Sequence, residues 1–291
     1  MMKARSSLSF VRAAWLVISS ACLIQLLPTA SYAQSSDKLA LPAGDHAGSV
    51  FPGPANTGVL PDSQLQKQVG KQFDVPNSII SNVDIEGMAA IVAPGITLRN
   101  CRIRSTGWAA LIVKADDVTV ENCEIDGQSA KGIRGISVSG NNITLRQNNI
   151  LHSEDGIYLA NASNVTIDRN YVHDLQSVWD GPHFDGIATD GGVSNLTITG
   201  NTIENPHPQT SAIMISNYFG SVSGVLIADN RLVGGGYTIY TDAQFDGGTL
   251  LRITIANNRL GRGFHGYIVN NTYKPEWMGN IDDRSGSIVP Q

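Results

Sequence analysis

Apolar and polar residues alternate along this chain in a short unit that recurs seven times. The copies read ITLRNCRI from Ile96, VTVENCEI from Val118, ITLRQNNI from Ile143, VTIDRNYV from Val165, LTITGNTI from Leu196, VLIADNRL from Val225 and ITIANNRL from Ile253. Alternation with period two is the mark of a half-buried strand, and each copy breaks at an Asn-rich corner before the apolar pattern resumes. Between copies a glycine opens a further apolar run, at Gly107-Trp108, Gly135-Ile136, Gly156-Ile157, Gly186-Ile187, Gly236-Tyr237 and Gly266-Tyr267. Glycine at these places is expected to supply a tight turn. Three strands per repeat, stacked at a regular period, predict an all-β solenoid with three parallel sheets. The stretch SIISNVDI, Ser78 to Ile85, fits the same frame and makes about eight coils.

One position of the unit is filled by Cys101, Cys123, Asn148, Asn170, Asn201, Asn230 and Asn258. If each copy is one coil, these side chains stack at strand spacing, roughly 4.8 Å. An amide can both donate to and accept from identical neighbours, and Asn tolerates left-handed backbone, so an Asn ladder is predicted at this corner. Cys101 and Cys123 extend the column and are expected to be buried thiols.

The first residues read differently. A basic start with Lys3, Arg5 and Arg12, an apolar run from Ala13 to Leu27, and Ser31-Tyr32-Ala33 ahead of Gln34 have the form of a secretory signal peptide over residues 1–33. A secreted or periplasmic location follows, without membrane insertion once the signal is removed. Residues 34–73, rich in Pro, Gly and Ser, are expected to form an irregular cap over the N-terminal end of the solenoid, with the helix domain at 74–291. Loss of three basic residues and no acid takes the net charge from −5 to about −8. Nucleic acid is therefore excluded as the main partner. A monomer is expected.

The motif starts lie 22, 25, 22, 31, 29 and 28 residues apart, and the surplus in the last three intervals falls in loops. HDLQSVWDGPHFD precedes one strand, whereas NYFGSVSG and TDAQFDGGTL follow the next two. Such loops would wall a groove whose floor is a parallel sheet. The residue before each opening glycine gives a second column: Thr106, Arg134, Asp155, Asp185, Thr210, Gly235 and His265. Asp155 and Asp185 should then be neighbours, and like charges at strand spacing raise a pKa, hold a cation or lean on a positive group such as Arg134. His183 lies in the longest insertion. Arg134, Asp155, His183 and Asp185, with Lys131, are the candidate catalytic residues. Trp179, Phe184, Tyr158, Asp190, Asn217, Tyr240 and Asp242 are the candidate substrate contacts.

The repeats, the FPGPANTGV segment and the GGYTIY stretch resemble the secreted bacterial proteins of the pectin-lyase-like superfamily. That resemblance implies a right-handed, single-stranded parallel β-helix and a polysaccharide partner. The superfamily's hydrolase set of Asn-Thr-Asp, Asp-Asp and Gly-His-Gly is absent, with Phe264-His265-Gly266 a fragment of its third part, and Val178-Trp179-Asp180 is a faint echo of the pectate-lyase signature. The expected reaction is β-elimination on a uronate-containing polysaccharide. Arg134, or a Ca2+ ion held by Asp155 and Asp185, would offset the substrate carboxylate, and His183 or Lys131 would remove the proton. The alternatives are hydrolysis by the stacked Asp pair, and glycan binding without cleavage during exopolysaccharide assembly.

Overall fold

The computed structural model describes residues 50–179, 181–243 and 247–291. The expected signal peptide and the first part of the expected cap segment lie outside the described residues. Those described form a right-handed parallel β-helix of three sheets with ten, nine and nine strands, in which every neighbouring pair is parallel. Sequence neighbours fall in different sheets, so each strand pairs with the strand one full coil away. The seven motif copies and the SIISNVDI stretch are eight of these coils, and partial coils at either end add the remaining strands.

Why these residues wind this way is visible in any one copy. In the strand Val193–Thr199 the residues Leu196 and Ile198 point inward and are buried, while Asn195, Thr197 and Thr199 around them face outward. The corner residue after that strand turns the chain through about a third of a circle into the short strand Thr202–Asn205. Left-handed backbone is needed at that corner, and it is taken by the residue before the ladder: Asn100, Asn122, Gln147, Arg169, Asp229 and Asn257 have φ between 51° and 59°, and Gly200 has 65°. The ladder residues themselves are absent from the left-handed region. This corrects the expected role of Asn; its amide, not its backbone tolerance, selects it.

The ladder runs from Asn148 through Asn170, Asn201, Asn230 and Asn258 to Asn280, one residue further than the repeats predict. In each step the Nδ2 of one Asn donates to the Oδ1 of the next at 2.9–3.0 Å, and a backbone N–H donates to the same oxygen. All six are fully buried. Cys101 and Cys123 continue the column as buried free thiols.

The irregular segment ahead of the first strand lies along this corner edge. Gly58 N donates to Gln147 O at 2.9 Å, Leu60 N to the side chain of Asn100 at 2.8 Å, and Asn100 Nδ2 to Ser63 Oγ at 2.9 Å. Its last residues, Gln66–Val69 and Gln72–Phe73, already pair as strands with the following coil. Residues 50–63 thus strap the side of the solenoid, and 66–73 open it.

Candidate active site

The sheet that carries the candidate site contains the strands Arg134–Val138, Asp155–Leu159, Asp185–Thr189 and Ser211–Ile215. Ile157 and Leu159 point into the core and Tyr158 points out. Strict alternation would turn Gly156 outward and Asp155 inward. Instead Gly156 takes an extra inward place, and a Cβ there would lie 2.5 Å from the carbonyl oxygen of Gly186. Gly135 and Gly186 occupy equivalent places, 2.5 and 2.6 Å from the carbonyls of Gly156 and Ala212. None of the three has left-handed backbone. They serve close approach between coils rather than the expected tight turn, and the break in alternation delivers Arg134, Asp155 and Asp185 to the outer face.

Two columns therefore rise along the floor of the groove. Arg134, Asp155, Asp185 and Ser211 are successive register partners, and Ser137, Tyr158, Ala188, Met214 and Tyr240 form the second column. The ends of the expected first column are corrected. Arg134 pairs with Ala109, not Thr106; Asp185 pairs with Ser211, not Thr210; Gly266 pairs with Tyr237, which removes Gly235 and His265. The coils with Ala110, Ala212 and Thr238 at the inward place have no glycine there, so nearby glycines set a false register.

Asp155 and Asp185 are paired acids with different supports. Asp185 Oδ1 accepts from Ser211 N at 3.0 Å and Ser211 Oγ at 2.7 Å. Burial raises its pKa to about 7, against the two Ser211 hydrogen bonds that favour the anion. Asp155 Oδ2 lies 3.5 Å from Arg134 Nε. Burial, and then the Asp185 charge, hold the Asp155 carboxyl well above the usual range, and Arg134 only partly opposes them. Near neutral pH the pair retains a proton. Asp190, at the exit of the same strand, accepts from Tyr158 Oη at 2.9 Å, and the Tyr158 hydroxyl is pushed up to about 12 by burial and that carboxylate.

The groove above these residues has a volume of about 530 Å³. Of the expected set, Arg134, Asp155, Tyr158, His183, Asp185 and Asp190 line it. Glu154, Thr210, Met214, Ser216, Tyr218 and Phe219 line it too and were not among the candidate residues, although the loop that carries Tyr218 and Phe219 was expected as a wall. Glu154 had a signal, since it directly precedes Asp155 in SEDG. It is buried, and its carboxylate accepts from Trp179 Nε1 at 2.6 Å and His183 N at 3.2 Å, which fixes the long loop as one wall. Tyr218 and Phe219, 51% and 64% exposed, form the opposite wall.

The other expected residues are placed elsewhere. Lys131 stands on the rim with its ammonium 5.0 Å above the Trp179 ring, outside the groove lining where a base would act. Phe184 is only 4% exposed and stacks on His207 at 3.6 Å, so it packs the loop instead of meeting substrate. Asn217 is buried and donates to Gly248 O at 2.6 Å. Asp242 is buried and accepts from Thr272 N at 2.8 Å. Both tie loops down, as short polar side chains at strand exits commonly do. Tyr240 sits two coils beyond Ala188, past the carboxylates. Among the described residues no group of three or more His, Cys, Asp or Glu is arranged to hold a metal ion.

Several solved proteins are similar to this chain at low identity. The Dettilon tailspike protein is 14% identical, with a TM-score of 0.44 over 76% of this chain and 59% of that one. A GH87 α-1,3-glucanase from Streptomyces thermodiastaticus is 14% identical, with a TM-score of 0.43 over 75% and 51%. PfbA, a surface adhesin of Streptococcus pneumoniae, is 12% identical, with a TM-score of 0.42 over 77% and 65%. The chain spans about half to two thirds of the length of these structures. No curated sequence matches it. A right-handed β-helix region is recognised over residues 90–260, more than half of the chain, and the protein belongs to the right-handed β-helix family.

Proposed function

We propose that this protein binds a glycan along the groove and hydrolyses a glycosidic bond by general acid–base catalysis. The observation that carries the reading is the in-register pair Asp155 and Asp185, whose raised pKa values keep one proton in the pair near neutrality. A protonated carboxyl can give its proton to a departing sugar oxygen, while an ionised neighbour supports the positive charge that develops or activates water. Asp190 and Glu154 border the same space. Exposed aromatic rings on the wall, Tyr218 and Phe219, suit the faces of sugar rings.

Elimination is less well supported at this centre. It requires the carboxylate of a uronate to be neutralised at the reacting sugar. Four acidic residues meet one arginine there, and that arginine already faces Asp155 and lies 3.9 Å from the centre of the Tyr158 ring. A polysaccharide panel assayed in parallel for new reducing ends and for the ultraviolet absorbance of unsaturated uronates separates the reactions. New ends without that absorbance are expected, with a loss of at least about 10²-fold in Asp155→Asn and in Asp185→Asn. The acidic form being the active one, turnover should fall as pH rises through about 7. New absorbance, or full activity in both variants, would overturn the reading.

A further inference from the structure

We infer that Asn205, a buried residue outside the groove lining, is a positioning residue for the acid pair: its side-chain amide holds Ser211 in place against Asp185 and the long loop in place against the floor. Its consequence for turnover rests on the hydrolytic reading; the placement of Asp185 does not.

Asn205 ends the strand Thr202–Asn205, in a different sheet from the floor strands, and is buried. An amide has two N–H donors and an accepting oxygen, and here each has a partner. Nδ2 donates to Phe184 O at 2.6 Å and to Ser211 O at 3.0 Å, and Oδ1 accepts from His207 N at 3.1 Å. Phe184 O belongs to the peptide that leads into Asp185, and Ser211 supplies two hydrogen bonds to Asp185 Oδ1. One nitrogen therefore ties the backbone of the acid to the backbone of its donor. Thr210 Oγ1 donates to the same Phe184 O, so that carbonyl is held twice.

The next coil is shaped around this residue. Asn205 O accepts from Gly235 N at 2.8 Å, and a Cβ on Gly234 would lie 2.0 Å from that oxygen. Gly234 and Gly235 both have left-handed backbone, with φ of 87° and 80°, and Gly235 forms an antiparallel bridge to Ser211. Downstream, the turn 206–210 reaches the long loop. His207 stacks on Phe184 and meets Leu175 O through Nε2 at 2.6 Å, and Gln209 Nε2 donates to Pro182 O at 2.5 Å. Pro206 and Pro208 fix φ on either side of His207, so the turn comes preformed. Asn205 is where the two sets of hydrogen bonds meet, one reaching the acid and the other the wall.

The charges around Asp185 do not place it. Asp155, Glu154 and Asp190 crowd the same space, with Arg134 against Asp155, His183 in the wall and Tyr240 two coils beyond Ala188. Its orientation comes from Ser211, and the orientation of Ser211 from Asn205 and the Gly235 bridge. An anchor of the loop alone would leave the titration of the carboxyl untouched.

Carboxyl carbon NMR signals of Asp155 and Asp185, assigned with Asp155→Asn and Asp185→Asn, are followed against pH in the full chain. In the wild type the side-chain amide signals of Asn205 should shift with the Asp185 midpoint, since hydrogen bonds in a chain polarise one another. Ser211→Ala removes a hydrogen bond to the anion and should move that midpoint up by about one pH unit, and Asn205→Ala by about half a pH unit or more. Asn205→Ser, which keeps one donor, should fall between Asn205→Ala and the wild type. Gln209→Ala loosens the loop at Pro182 alone and should leave the midpoint where it is. On the panel polysaccharide from which the wild type releases most reducing ends, Asn205→Ala should lower kcat about tenfold or more and carry the alkaline fall in turnover to higher pH, whereas Gln209→Ala should act on KM. Asn205 amide signals that stay flat through the Asp185 titration, or an Asp185 midpoint unmoved in Asn205→Ala and Asn205→Ser, would overturn the inference. If the midpoints move as stated but the wild-type chain releases no reducing ends, the positioning stands and the hydrolytic reading falls.

Discussion

Two edges of the solenoid stack like side chains on like, and they do opposite things with them. At the corner edge, Asn170 Oδ1 accepts from Asn148 N and Nδ2, and Asn170 Nδ2 donates to Leu145 O and Asn201 Oδ1. An amide carries donors and acceptors together, so a column of amides satisfies itself. At the groove edge, Asp155 and Asp185 stack in the same register. A carboxylate only accepts, so a pair of them is satisfied by retaining a proton, by borrowing donors, here from Ser211, or by a nearby positive charge, here Arg134. One atom's difference converts a structural column into a reactive one. Reciprocal exchanges of Asn and Asp at the two edges should therefore have opposite signs.

The largest effect is expected at Asn201→Asp. Asn201 Nδ2 donates to Ile167 O at 2.9 Å, Thr199 O at 3.0 Å and Asn230 Oδ1 at 2.9 Å, in a fully buried site. A carboxylate would face three acceptors with nothing to give, and a protonated acid could satisfy only one of them. The loss should be about 3–5 kcal/mol, deepening as pH rises and the buried acid is pressed to ionise. Denaturant unfolding at two pH values measures it. A loss under about 1 kcal/mol at both would show that the ladder's hydrogen bonds are not what holds this edge.

The reverse exchange, Asp185→Asn, should stabilise. Asp185 titrates near 7 in the fold against an ordinary 3.8, so its contribution to stability is complete below the lower value and is lost as pH rises through the upper one. An Asn there keeps an oxygen for Ser211 and offers Asp155 a donor. The variant should match the wild type near pH 4 and exceed it by about 2–4 kcal/mol at pH 8, even as activity is lost. Equal stability of the two proteins across that range would mean that the acids are not strained together.

How much of this could be read from the chain differs between the same two edges. The corner was legible because one offset is filled by Cys in the first two copies and by Asn in the other five, so seven copies agree on a single register. On the groove edge the three central positions, Arg134, Asp155 and Asp185, were legible because Gly135, Gly156 and Gly186 mark a common break in the strand. The flanking positions were not, since Gly107 and Gly236 sit outside the inward place that Ala110 and Thr238 occupy. Burial within loops left no pattern either. Phe184 reads as an exposed aromatic next to Asp185, yet its ring is claimed by His207, from the loop of the following coil. Asn217 and Asp242 read as groove polar groups, but loop anchoring consumes them. Periodicity reports what repeats, and the parts of this site that do not repeat were set by tertiary contacts.

The smallest effect tests where the ladder stops. Cys123 N already donates to Asn148 Oδ1 at 3.0 Å, so the backbone at this coil is set as if an amide were present. Its thiol lies 3.7 Å from Leu98 O, the carbonyl equivalent to the one that Asn148 Nδ2 reaches one coil later at Val120. In Cys123→Asn the new Nδ2 would have Leu98 O and Asn148 Oδ1 as acceptors, and the new Oδ1 would face Cys101 N. Each hydrogen bond is worth about 0.5–1.5 kcal/mol net, offset by breaking the packing of two buried sulfurs, so a gain of about 1–2 kcal/mol is expected. In a chain of this size that is a rise of roughly 2–6 °C in Tm. A fall in Tm would mean that the thiol pair packs better than an amide can at these two coils, and that the column changes chemistry there because the packing requires it.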